Sequence, residues 1–301
     1  MNLLNLSHFK TADFEDLFKL ADNFYLAESD SIKQDQILAD KKLLNLFFEP
    51  STRTKLSFEV AASNLGMTVF SLDAISSSLT KGESLEDTIE VALNIGIDAC
   101  VIRHKDSVVH DLADRFPDMV FINAGEGSIA HPSQTLLDLF TIRQSFDDLS
   151  KLSYLVVGDL DHSRVLASFL EGLNIVGANK ITLCSPAELG KKYADFPNFE
   201  EDLNSALDGK DVVMALRIQH ERLDHALSIS GEEYISKFQI NHQRLLDAIG
   251  SDRFILMHPG PVNYGIELHA DVRNQPYCKI NTQVRNGVGI RMAILTKALL
   301  T

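Results

Sequence analysis

The sequence predicts an α/β protein of two domains, each a parallel sheet flanked by helices. Three observations carry that reading. Short, nearly continuous apolar runs alternate with segments whose apolar residues recur at helical spacing, the pattern of strands buried on both faces between crossover helices. The alternation restarts near residue 152. A chain of 301 residues, 45% of them hydrophobic, is long enough for two cores of about 150 residues each.

Taken in order, Thr11 to about Glu28 places Phe14, Leu17, Phe18, Leu20, Ala21 and Phe24 on a helical period, which predicts an amphipathic helix on the first domain. Leu43, Leu44, Leu46, Phe47 and Phe48 form a short apolar run ended by Glu49-Pro50 and predict a buried strand. Phe58, Ala61, Ala62 and Leu65 then change the period. A helix is therefore expected from Ser51 or Thr52, whose hydroxyls suit an N-cap, to about Gly66. The alternation continues with a strand at 68–72, a helix at 85–94 behind Ser84, a strand at 99–102, a helix at 108–116 and a strand at 119–123. His131-Pro132 opens a helix whose stripe of Leu136, Leu137, Leu139 and Phe140 is expected to bridge the domains.

In the second half, strands are expected at 152–157, 180–184, 212–216 and 254–257, and Ser163 is expected to cap a helix carrying Leu166, Phe169, Leu170 and Leu173. Weak periodicity from Arg217 to Gln239 predicts a long loop, followed by a helix at 241–249. The last helix, about 282–301, has no strand partner in this alternation and is assigned back to the first domain. The expected boundaries are 1–131 for the first domain, 132–150 for the interdomain helix and 151–281 for the second domain.

Composition narrows the function classes. A net charge of −14 argues against nucleic acid and anionic membrane partners. No apolar stretch reaches a membrane span and the N-terminus carries no signal-peptide pattern, so a cytoplasmic location is expected. Cys100, Cys184 and Cys278 are widely spaced without a C-x-x-C, which speaks against a disulfide framework and a zinc site; Cys100 and Cys184 read as core residues.

The polar clusters fall where strands end and helices begin, the usual ligand-binding edge of open α/β sheets. Ser51-Thr52-Arg53-Thr54 suits a phosphate, because a helix start offers unpaired N–H groups and a positive dipole end to which Arg53 adds a guanidinium; it equally suits an ordinary capped helix. Ser77 to Ser84 is a polar loop between the second strand and the second helix, which by itself reads as a solvated loop with Ser84 as an N-cap. Arg103, after a buried strand, is a candidate bidentate ligand for phosphate or carbonyl oxygen or a surface residue. His131 sits at a helix start, where the dipole favours a neutral imidazole able to donate to a carbonyl oxygen, or where it serves as a cap. Gly158 to Val165 lacks the spacing of a nucleotide loop.

Together these strings resemble the transcarbamylases from Phe47 to the C-terminal helix, through six motifs in order. FFEPSTRTKLSFE resembles the carbamoyl phosphate loop, SSLTKGES the S-x-x-K-G-E-S/T loop, and INAG followed by HPSQTLLDLFT a further block of that family. Gly158-Asp159 with His162-Ser163-Arg164, the LRIQHER string at 216–222, and His258-Pro259-Gly260-Pro261-Val262-Asn263 resemble its acceptor-side elements. The resemblance implies carbamoyl phosphate and L-aspartate as substrates, N-carbamoyl-L-aspartate and phosphate as products, and a step of pyrimidine synthesis. It places Ser51, Thr52, Arg53, Thr54 and Arg103 on the phosphate, with Ser78 and Lys81 supplied by an adjacent subunit, hence a homotrimer with shared sites. Thr54, Arg103 and His131 are implied as oxyanion donors, while Gln134 and the backbone at Pro259 and Gly260 orient the amide. Arg164, Arg217 and Gln219 are implied on aspartate, whose two carboxylates suit two guanidinium forks.

No metal, cofactor or covalent nucleophile is required by this chemistry, and closure of the two domains over anionic ligands is expected from the arginines in both halves. A regulatory chain or a dihydroorotase as partner stays open, as do two other readings, a different transcarbamylase and a catalytically silent assembly partner. Tyr264 departs from the pattern, because many members carry arginine there. The H-C-L-P turn of the ornithine enzymes is absent, which favours aspartate.

Overall fold

The computed structural model describes residues 1–25, 35–73, 83–127, 130–218, 230–250 and 253–300. They form two compact units, one of residues 1–140 and 284–301, the other of residues 141–283.

In the first unit, β1 (Lys42–Phe47), β2 (Thr68–Asp73), β3 (Ala99–His104) and β4 (Val120–Glu126) form a sheet in the order β2-β1-β3-β4 among the described residues. Each neighbouring pair is parallel. β1, β3 and β4 are buried along most of their length, as strands covered on both faces are, whereas β2 at the sheet's edge leaves Phe70 and Leu72 exposed. Leu44, Leu46, Cys100 and Ile102 pack with residues of α3 (Leu85–Asn94) and α4 (Val109–Arg115). Helices α1 (Thr11–Asp22), α2 (Thr52–Asn64) and α5 (Pro132–Arg143) complete the alternation, with Pro132 at the first helical position as expected.

The second unit carries β5 (Ser153–Val157), β6 (Lys180–Cys184), β7 (Phe199–Glu200), β8 (Val212–Ala215) and β9 (Ile255–Met257) in the order β7-β6-β5-β8-β9, again parallel. Its helices are α6 (Arg164–Ile175), α7 (Leu203–Leu207), α8 (Gly231–Phe238) and α9 (His242–Ile249). The last helix, α10 (Ile280–Leu300), returns to the first unit. There the Ala298 carbonyl accepts from the N-terminal ammonium at 2.8 Å, and Asn286 Oδ1 accepts from Tyr25 Oη at 3.1 Å.

Three local expectations need correction. The first helix stops at Asp22 instead of about Glu28; Phe24 is buried all the same, its N–H turned onto the Ala21 carbonyl. The segment expected as a loop to Gln239 contains α8, held by the Ser230 hydroxyl accepting from Glu233 N–H and by burial of Tyr234 and Phe238 one turn apart. Residues 219–229 of that segment lie outside the described residues. Ser51 occupies the N-cap position of α2, but its side chain makes no capping bond among the described residues. Ser84 and Ser163 do cap α3 and α6.

Each sheet has a switch point where successive connections leave in opposite directions, between β1 and β3 and between β5 and β8. At the second, Gly158 has φ +131°, and a Cβ there would stand 2.5 Å from the Leu216 carbonyl oxygen, so only glycine lets the two strand ends approach. Gly209 also has positive φ, at +63°, but no atom lies within 4 Å of its ideal Cβ. Gly158→Ala is expected to destabilise the chain by at least about 1–3 kcal/mol, the order of a strained backbone position, and by clearly more than Gly209→Ala. Urea denaturation of the two variants measures this, and equal losses would contradict the close approach.

Candidate active site

The strand ends deliver the donor-side residues of the first unit. Register pairs Phe47 of β1 with Arg103 of β3, and the Arg103 carbonyl accepts from Phe48 N–H at 2.9 Å, which fixes the exit of β1 toward Glu49 and α2. Ser51 to Thr54 then occupy the start of α2, where the first-turn N–H groups have no partner within the helix. Arg53 is exposed and Thr54 buried. Arg103 is turned by two groups: Glu49, whose Oε2 lies 3.4 Å from Nε, and the Ala124 carbonyl, 3.4 Å from Nη1. This leaves a guanidinium of fixed plane at the sheet's carboxyl edge. Beyond β4, His131 is buried just ahead of α5, and Gln134 Nε2 donates to Asp138 Oδ1 at 2.9 Å one turn further on.

Three adjacent strands, β1, β3 and β4, therefore carry Ser51 to Thr54, Arg103, His131 and Gln134 at one edge. Ser78 and Lys81 lie outside the described residues, as does Gln219.

In the second unit, Arg164 is the first residue of α6, after β5, and Arg217 is exposed beyond β8. Pro259 and Gly260 follow β9 and are half-buried. The hydrogen bonding of this turn is informative. His258 N–H donates to Gln283 Oε1, Gly260 N–H to His258 Nδ1, and Asn263 N–H to Glu267 Oε1, at 2.9, 2.8 and 2.6 Å. Because Nδ1 accepts, the His258 proton sits on Nε2, facing Glu267 Oε1 at 3.2 Å. Pro259 and Pro261 have no N–H at all. The turn thus spends these three donors on side chains of the same unit, and its prolines contribute none. Asn263 Nδ2 donates to the Ile218 carbonyl at 2.8 Å and ties the turn to the residue after Arg217. Tyr264, at the departure from the family pattern, lies under the Arg273 guanidinium, 5.6 Å from its ring centre.

Glu49, Asp138 and Glu267 were not singled out from the sequence, although each holds a neighbour of the candidate residues in place. Burial raises the Cys100 and Cys184 thiols, Cys184 to about 12, so both are unreactive core groups. No cluster of three or more His, Cys, Asp or Glu residues able to hold a metal is found among the described residues, and no helix among them is long and apolar enough to cross a membrane.

Residues 1–144 match the family model for the aspartate/ornithine carbamoyltransferase, carbamoyl-P binding domain, and residues 150–298 the model for its Asp/Orn binding domain. The aspartate carbamoyltransferase catalytic subunit of Chloroflexus aggregans is 41% identical, with 97% of this chain and 96% of the relative covered. A crystal structure of aspartate transcarbamoylase from Trypanosoma cruzi in complex with carbamoyl aspartate and phosphate superposes with a TM-score of 0.83 at 29% identity, covering 99% of this chain and 95% of that one. Ornithine carbamoyltransferase from Thermus thermophilus superposes equally well, with a TM-score of 0.82 at 25% identity, covering 99% and 98%. The fold is common to both acceptor classes, so acceptor choice rests on side chains. The chain belongs to the aspartate/ornithine carbamoyltransferase family.

Proposed function

We propose that this chain transfers the carbamoyl group of carbamoyl phosphate to the α-amine of L-aspartate, giving N-carbamoyl-L-aspartate and phosphate in pyrimidine synthesis. The observation that carries the reading is the gathering of Ser51 to Thr54, Arg103, His131 and Gln134 at the carboxyl edge of β1, β3 and β4. Ser51, Thr52, Arg53 and Thr54 bind the phosphate with helix N–H groups, hydroxyls and a guanidinium. Arg103, held by Glu49, donates to phosphate and to the carbamoyl oxygen. Arg164 and Arg217, with Gln219, take the two carboxylates of aspartate.

The neutral α-amine attacks the carbamoyl carbon, forming a C–N bond and a tetrahedral oxyanion that accepts from Thr54, Arg103 and His131. Gln134 and the carbonyls of the Pro259–Gly260 turn accept from N–H groups and orient the amide. The C–O bond to phosphate then breaks, and the departing phosphate takes the amine proton. Pre-positioned charge and proximity supply most of the acceleration. The working form is a cytoplasmic homotrimer in which Ser78 and Lys81 reach a neighbouring subunit's site.

Supplied with carbamoyl phosphate and equal aspartate and ornithine, the purified chain is expected to form carbamoyl aspartate. Preferential formation of citrulline would overturn the acceptor assignment. His131→Ala should lower kcat by at least roughly tenfold, toward the about 10²–10³ of a lost oxyanion donor, while the protein still folds; unaltered turnover removes His131 from the mechanism. Ser51→Ala and Lys81→Ala chains, each weakly active alone, should regain activity when mixed in one trimer. No gain in verified mixed trimers would count against shared sites.

A further inference from the structure

Asp138 is fully buried on α5, one helical turn beyond Gln134, and the proposed chemistry makes no use of it. Its Oδ1 accepts from Gln134 Nε2 at 2.9 Å. A carboxylate has only acceptors, so the amide must present its nitrogen to Asp138 and its oxygen away from it. The second buried charge nearby is Arg291 of α10, 3% exposed. Its Nη1 donates to the Gly287 carbonyl at 3.0 Å and its guanidinium lies 5.0 Å from the ring centre of Phe58 on α2. A Cβ on Gly287 would stand 2.5 Å from that Nη1 and 3.4 Å from Leu137 Cδ2, so the missing side chain makes the space between α10 and α5 in which the guanidinium lies. Burial pulls the guanidinium down to about 10, while Asp138 acts in the opposite sense, so the guanidinium remains a cation near neutral pH.

We propose that Asp138 and Arg291 are positioning residues that hold Gln134 with its amide oxygen toward the acyl donor, and so make the chain select a donor carrying N–H. This rests on the carbamoyl phosphate reading above and deepens it. Acetyl phosphate replaces the carbamoyl NH₂ by a methyl of similar size, which gives the Gln134 oxygen nothing to accept. A site arranged for that N–H therefore discriminates between the two.

Asp138→Asn removes the constraint. The cationic field of Arg291 draws the new amide oxygen, the new NH₂ turns to Gln134, and Gln134 reverses so that its own NH₂ meets the carbamoyl NH₂. Titration calorimetry of the intact protein with carbamoyl phosphate, acetyl phosphate and inorganic phosphate reads this directly. The expected result is a carbamoyl-over-acetyl preference reduced on the order of tenfold, unchanged affinity for inorganic phosphate, and no further reduction when Asp138→Asn is added to Gln134→Ala. An unchanged preference, or the same reduction in both backgrounds, overturns the proposal. If Asp138→Asn does not fold, Arg291→Gln should narrow the preference where Arg291→Lys keeps it, and equal behaviour of those two variants overturns the proposal. Wild-type protein without any preference for carbamoyl phosphate would instead refute the functional reading on which it stands.

Discussion

The parallel pairing of β1 with β3, in register from Leu43 opposite Ala99 to Phe47 opposite Arg103, is the constraint on which the donor side depends. Side chains alternate faces along a strand, so a slip of one residue would exchange Leu44, Leu46, Cys100 and Ile102 with their neighbours across the sheet. Arg103 would then turn to the opposite face. Because these strands are buried on both sides, the register is defended by packing on each, and the arginine is delivered to the edge by hydrophobic burial rather than by its own contacts. The tie from Phe48 N–H to the Arg103 carbonyl extends the constraint one residue beyond the strand, to where the chain turns into the phosphate-type helix start.

Magnitudes separate orientation from stability among the paired side chains. Glu49 and Arg103 keep 26% and 14% of their side-chain surface in solvent, a setting in which an ion pair contributes about 1 kcal/mol or less. Their pairing chiefly sets the plane of a guanidinium. His258, a neutral imidazole, and Glu267 are essentially without exposure, and leaving a buried hydrogen-bonding group without its partner costs about 1–3 kcal/mol. That pair holds the turn itself. An overall charge of −14 is compatible with both, since the cations stand at strand ends while the excess acidity is spread over the rest of the chain.

Strand periodicity, the Pro132 helix start and the Ser84 and Ser163 caps were readable because each depends on residues close together in sequence. The same locality explains the failures. Phe24 continues the apolar period of α1 and is buried, yet the helix has already ended at Asp22, because burial of a ring does not require helical backbone. Helix α8 is only two turns long, so Tyr234 and Phe238 give too little repetition to stand out from a loop. Glu49, Asp138 and Glu267 act on Arg103, Gln134 and the Pro259 turn, and the geometry that selects them exists only after folding. The candidate residues were legible as motifs; what holds them was not.

The two units present opposite hydrogen-bonding character, and the reason is backbone chemistry more than side-chain choice. At Ser51 to Thr54 a helix begins without a side-chain cap among the described residues, and its first N–H groups have no partner within the helix. At His258 to Asn263 the reverse holds. Prolines remove two donors, and Gln283, His258 and Glu267 accept three more, so the turn has few N–H groups left to give. A phosphate can only accept from such partners, and a carbamoyl NH₂ or an amine N–H needs acceptors. Each unit therefore suits one end of the transferred group's chemistry before any arginine is counted, and the arginines sharpen a polarity that the backbone already has.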